Sequence, residues 1–145
     1  MPAVTQILES ALYVRDLDRS VAFYRDLFGF PEYLRDERMA ALGVPGSQIL
    51  LLFRLGASVT PAPTPFGTIP PHDGHGPQHM AFAVAEAGLP GWLTALTTAG
   101  IELESRIDWD SGSTAIYFRD PDGHSIELAT PRLWPNHASG ESISP

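Results

Sequence analysis

The chain has 145 residues, with nine arginines, no lysine, seventeen acidic side chains, no cysteine and a formal charge of -8 at pH 7. That balance argues against a nucleic-acid partner, which needs clustered cations, and it excludes lysine Schiff-base, thiolate and disulfide chemistry. Histidine and carboxylate remain as the strong metal ligands, and a composition 43% hydrophobic and 18% charged fits a globular chain whose apolar runs are too short to span a bilayer.

The length suits one domain, or two small modules sharing a core. The opening MPAVTQILESALYV has no basic region ahead of an unbroken apolar run, so no secretory signal is expected and a cytoplasmic location follows by default. QILESALYV, from Gln6 to Val14, reads as a mostly buried strand. Asp16 is placed to cap a helix in which Leu17, Val21, Tyr24 and Phe28 recur at helical spacing, and Gly29 suits its left-handed end, so a helix is predicted over about 17–28. Extended stretches follow at FPEYLRDE, MAALGV and QILLLFRL, the last two separated by the turn signal Pro45-Gly46.

Prolines at 61, 63, 65, 70, 71 and 77 forbid a regular helix or central strand between these stretches and the rest, so 57–76 is expected to be a linker or lid. QHMAFAVA, from Gln78, reads as a strand. Pro90 fits the first turn of a helix carrying Trp92, Leu93 and Leu96, closed by Gly100. IELESRI, STAIYFR and HSIELAT then read as strands, the last two joined by the hairpin turn Asp120-Pro121-Asp122-Gly123. The order strand, helix, three strands therefore occurs twice, over 5–56 and 77–131, and a tail over 132–145 is expected to be mobile in its last ten residues.

Aligning Val14 with Val84 places Asp16 on Glu86 and Glu9 on His79, since 79 minus 9 is the same 70. Taken singly, Glu9 reads equally as a glutamate on the solvent face of its strand, His79 as a core histidine with satisfied hydrogen bonds, and Glu127 as another strand carboxylate. Taken together they form a candidate metal triad. Glu9 lies among Ile7, Leu8, Ala11 and Leu12, where a buried carboxylate needs a cation or a proton, and Glu127 falls in the closing strand of the second half. One imidazole and two carboxylates suit a divalent ion with open positions for substrate or water.

ALYVRDLDRSVAFYRDLFGF resembles the opening module of the vicinal-oxygen-chelate superfamily, which includes glyoxalase I, bleomycin-resistance proteins and extradiol dioxygenases; HMAFAV and AIYFRDPDGHSIEL resemble its second module. The resemblance implies an α+β fold of two βαβββ modules forming a curved mixed sheet around a metal-binding cavity, with ligands on the first and last strands of each module. Those positions are Glu9, His79, Glu127 and Leu51 or a neighbour. Glutamate at the first position favours harder ions, and leucine at the fourth leaves three ligands, an arrangement more like that of the dioxygenases. YFRDPDGHSIE also resembles the ring-cleavage signature, in which a tyrosine, here Tyr117, precedes the glutamate ligand by ten residues. That signature wants a histidine several residues earlier, where this chain has Asp108, Trp109 and Asp110.

The expected function is that of a metal-dependent enzyme acting on a small substrate chelated through adjacent oxygens. The metal triad is Glu9, His79 and Glu127; the catalytic candidates are Tyr117, as donor to an oxyanion, with Glu127 or Glu9 as base. One divalent ion is expected, Fe(II) ahead of Mn, Ni or Zn, and the reading leans to dioxygenase chemistry over a glyoxalase-like lyase or isomerase. The other class is a metal-free binding protein of the bleomycin-resistance type, in which Trp109, Phe66 and Trp92 would line an acidic cleft for a cationic aromatic molecule. His72 and His75 are candidates to cover the site or carry protons, and His124 is expected to be exposed. No separate organic cofactor site, nucleic-acid partner or membrane partner is expected. The superfamily resemblance implies a homodimer whose site is shared in some relatives.

Overall fold

A computed structural model describes residues 1–137; residues 138–145, most of the tail expected to be mobile, lie outside the described residues. The chain divides into two compact units, the first ending at Gly76 and the second beginning at Pro77.

The first unit runs β1 (Glu9–Val14), α1 (Leu17–Phe28), β2 (Glu32–Arg35), β3 (Met39–Val44) and β4 (Gln48–Arg54). Its sheet has the order β1-β4-β3-β2, with β1 parallel to β4 and the other neighbours antiparallel. Helix α1 has the predicted bounds for the predicted reasons. The Asp16 carboxylate accepts the Arg19 amide at 3.1 Å, satisfying a donor that the first turn leaves open. Gly29, at φ 71°, ends the helix and donates its own N–H to the Arg25 carbonyl. Val21 and Tyr24 are fully buried, on a helix packed against β3 and β4.

Strand β1 begins at Glu9, three residues later than expected. Val4, Ile7 and Leu8 are 92%, 66% and 63% exposed, so the apolar lead-in is not part of a buried strand. The proline-rich stretch holds a separate hairpin, β5 (Ala62–Thr64) and β6 (Gly67–Ile69). Pro63 is tolerated there because a two-stranded ribbon has outward-facing positions that need no donor.

The second unit repeats the plan with β7 (His79–Ala83), α2 (Leu89–Thr98), β8 (Ser105–Asp108), β9 (Thr114–Arg119) and β10 (Ser125–Ala129). The order is β7-β10-β9-β8, with β7 parallel to β10. Pro90 occupies the first turn of α2, and Gly100, at φ 68°, lies just past its end. Of IELESRI only the last residues reach the edge of the sheet, because upstream of Ser105 only the Glu104 amide pairs with β9, at the Tyr117 carbonyl. Ile116, Phe118, Ile126 and Leu128 are fully buried on one face, and strand alternation turns Tyr117 and Glu127 to the other. The chain is thus an α+β protein with two four-stranded mixed sheets, as the sequence predicted.

Candidate metal centre

The register of the second sheet assembles the site. Ser125 lies opposite His79, and Glu127 lies between Ala81 on β7 and Tyr117 on β9. His79, Tyr117 and Glu127 therefore share the open face. Nδ1 of His79 is 3.0 Å from the Ser125 carbonyl oxygen. That oxygen only accepts, so Nδ1 carries a proton, and in the neutral ring Nε2 presents a lone pair. Nε2 is 3.2 Å from Glu127 Oε2, and a lone pair facing a carboxylate oxygen at that distance is repulsive unless a proton or a metal ion is shared between them. Glu127 is 5% exposed, and its Oε1 is buried with no hydrogen-bond partner. An unsatisfied buried carboxylate oxygen beside an oriented imidazole nitrogen is a donor set that suits a divalent cation.

Tyr117 stands beside this pair, its ring centroid 6.5 Å from that of His79 with 24° between the planes. Burial first, then a hydrogen bond to the Glu127 carboxylate and its charge, hold the phenol proton on above the ordinary tyrosine range, so Tyr117 is a donor at neutral pH. The three side chains open into a cleft of about 780 Å³ that is also lined by Asp108, Trp109, Asp110, Leu133 and Trp134. Leu133 and Trp134 went unnoticed in the sequence because they sit in a tail without periodicity; a tryptophan in an otherwise polar tail was the available signal.

Glu9 is in the first unit and differs from its expected setting. It is exposed at the first residue of β1, opposite Ile49, so burial does not oblige its carboxylate to meet a cation or take up a proton. It lines the first unit's own cup, of about 670 Å³, with Ala11, Tyr13, Leu51 and Phe53. The repeat is exact in register: Ala11 pairs with Leu51 as Ala81 pairs with Glu127, and Leu51 pairs with Ala41 as Glu127 pairs with Tyr117. Leu51 is therefore the positional counterpart of Glu127, and Ala41 that of Tyr117; the first module carries apolar side chains where the second carries a ligand and a donor. Among the described residues, no three His, Asp or Glu are grouped to hold a metal.

The remaining candidates separate clearly. His124 is 2% exposed rather than exposed: its Nδ1 accepts the Gln78 amide at 2.9 Å, and its own amide donates to Asp120 Oδ1, so it fastens the turn before β10 to the start of β7. His75 is exposed near Asp73, while His72 lines the first unit's cup. Phe66 is 98% exposed on the hairpin and Trp92 lies on α2, so of the three aromatic residues expected in one cleft only Trp109 lines that of the second unit.

The fold of repeated βαβββ modules with a His-Glu pair on an open sheet face defines a class. The Glyoxalase/Bleomycin resistance protein/Dioxygenase superfamily model matches residues 6–128, and the chain belongs to that superfamily. It is 30% identical over 118 residues to the metallothiol transferase FosB of Bacillus licheniformis, covering 81% of this chain and 70% of the relative. It is 29% identical to the catechol-2,3-dioxygenase of Bacillus subtilis, covering 96% of this chain but 47% of that protein. The crystal structure of a lactoylglutathione lyase from Agrobacterium tumefaciens superposes with a TM-score of 0.84 at 35% identity, covering 92% of this chain and 99% of the other.

Proposed function

We propose that the chain is a divalent-metal enzyme acting on a small substrate bound through two adjacent oxygens, with His79 and Glu127 as ligands and Glu9 of a second copy as the third. The observation that carries this reading is the buried, unpartnered Glu127 Oε1 beside the oriented Nε2 of His79. A bound ion supplies Lewis acidity, stabilising negative charge on a chelated oxygen. Ser125, through its carbonyl, fixes the tautomer of His79. Tyr117, protonated at neutral pH, donates a hydrogen bond to an oxyanion in the cleft. Trp109 and Trp134 provide apolar walls that limit water, and Glu127 or Glu9 accepts a substrate proton.

Two reactions fit these residues. The facing Tyr117-Glu127 pair favours Fe(II)-dependent ring cleavage, and the likeness to a catechol dioxygenase supports it. Asp108, Trp109 and Asp110, at the place of the expected histidine, favour non-oxidative lyase or isomerase chemistry with Ni, Zn or Mn. Protein purified without chelator is expected to hold metal near stoichiometry, and Glu127→Ala to lose it; metal-free wild-type protein that cannot be loaded refutes the enzyme. Oxygen uptake with catechols after anaerobic Fe(II) loading selects the first reaction, and its absence selects the second.

A further inference from the structure

The cup of the first unit contains a polar cluster built around the ring of Phe53. Tyr13 stacks on that ring with centroids 5.9 Å apart, His72 meets it edge-on at 4.4 Å, and the Arg38 guanidinium carbon lies 5.5 Å from its centroid. The Tyr13 hydroxyl and His72 Nδ1 are 2.6 Å apart. Burial, and then Asp73, hold the Tyr13 proton on, so the phenol and the imidazole share one hydrogen bond without a phenolate charge in the cup. The His72 amide donates to the Ser58 carbonyl at 2.9 Å. Ser58 is buried, and its hydroxyl accepts from Arg38 Nη1 at 3.4 Å.

Arg38 is half-buried, and its guanidinium meets a hydroxyl and an aromatic face rather than a carboxylate. Other arginines of this acidic chain are paired: Arg35 with Glu32 and Asp18, Arg106 with Asp108, and Arg119 with Glu104. Two acids line the same cup. Asp36 uses Oδ1 to accept the Arg38 and Met39 amides, so it serves the turn, and Glu9 stands at the opposite end of β1 from Tyr13. A guanidinium held in an apolar cup with donors to spare is arranged for an anion from outside the chain.

We propose that this cup is a subsite for an organic monoanion, a carboxylate on an apolar or aromatic body, with Arg38 as the cation and Phe53, Leu51 and Met39 holding the body. It rests on the reading of the chain as a small-molecule enzyme and adds the charge of its substrate. The test compares benzoate with its neutral isostere benzamide on full-length protein stripped of metal, so that no ion can bind the carboxylate. Calorimetry is expected to show benzoate binding at least about tenfold more tightly, with amide NMR shifts at Tyr13, Met39, Phe53 and His72. Arg38→Met is expected to bring the two ligands within about twofold. Glu127→Ala is expected to keep the preference for benzoate while losing metal, which separates failure of the metal reading from failure of this one. Equal binding of the two ligands to wild type, persistence of the preference in Arg38→Met, or shifts confined to the second unit would overturn it. If Arg38→Met does not fold, the wild-type preference and its shift map decide.

Discussion

Replacing Glu127 by glutamine distinguishes a side chain kept for stability from one kept for a ligand. The carboxylate is buried, with one oxygen unpartnered and the other facing His79 Nε2. A glutamine amide of nearly the same shape donates to that nitrogen and removes the buried charge. Metal-free Glu127→Gln is therefore expected to unfold at the same temperature as wild type or higher, while its metal affinity falls by at least about 100-fold. Calorimetric unfolding and metal titration check the two halves, and a destabilised variant that still binds metal would contradict the assignment. Tyr117→Phe acts on the reaction instead: with the donor gone and the ring retained, kcat is expected to fall by about 100-fold with metal content unchanged. A fall in KM affinity alone would make Tyr117 a wall of the cleft rather than a donor.

Local chemistry was most legible where one side chain decides one backbone event. Asp16 and Gly29 specify both ends of α1 without help from the rest of the fold, and Asp16→Ala is expected to cost about 1 kcal/mol, read as a lowered midpoint in thermal unfolding. That His79, Tyr117 and Glu127 lie on strands was legible for a similar reason, but their common face comes from the register of β7, β10 and β9, which no single strand's alternation specifies. Exposure was harder to read. Ile7 and Leu8 look like strand core by composition, yet both side chains are exposed, and β1 starts only at Glu9. His124 failed in the opposite sense: a histidine beside Asp-Pro-Asp-Gly reads as a turn tip, but its ring accepts the Gln78 amide from 46 residues away, a contact that exists only after β7 and β10 pair. Trp134 and His72 enter their clefts from segments with no periodicity, where sequence gives no facing.

The repeat is symmetric in fold and asymmetric in chemistry, and that asymmetry bears on how many chains make a site. Module two carries His79, Tyr117 and Glu127, whereas the same register in module one carries Glu9, Ala41 and Leu51. Within that register Glu9 is the module-one position that carries a ligand-type side chain. On the proposed reading of Glu9 as the third ligand, supplied by a second copy, an isologous homodimer would carry two equivalent sites. Glu9→Ala and Glu127→Ala homodimers should each be unable to bind metal tightly. Unfolded together and refolded as a mixture, they form heterodimers in which one site collects both lesions and the other collects none. With random pairing, half of the dimers are mixed and each has one intact site, so metal binding is expected to recover to about a quarter of the wild-type level. Titration of the refolded mixture measures this directly. A mixture that stays as empty as its parents would place all three ligands in one chain, and metal retained by Glu9→Ala would remove Glu9 from the set.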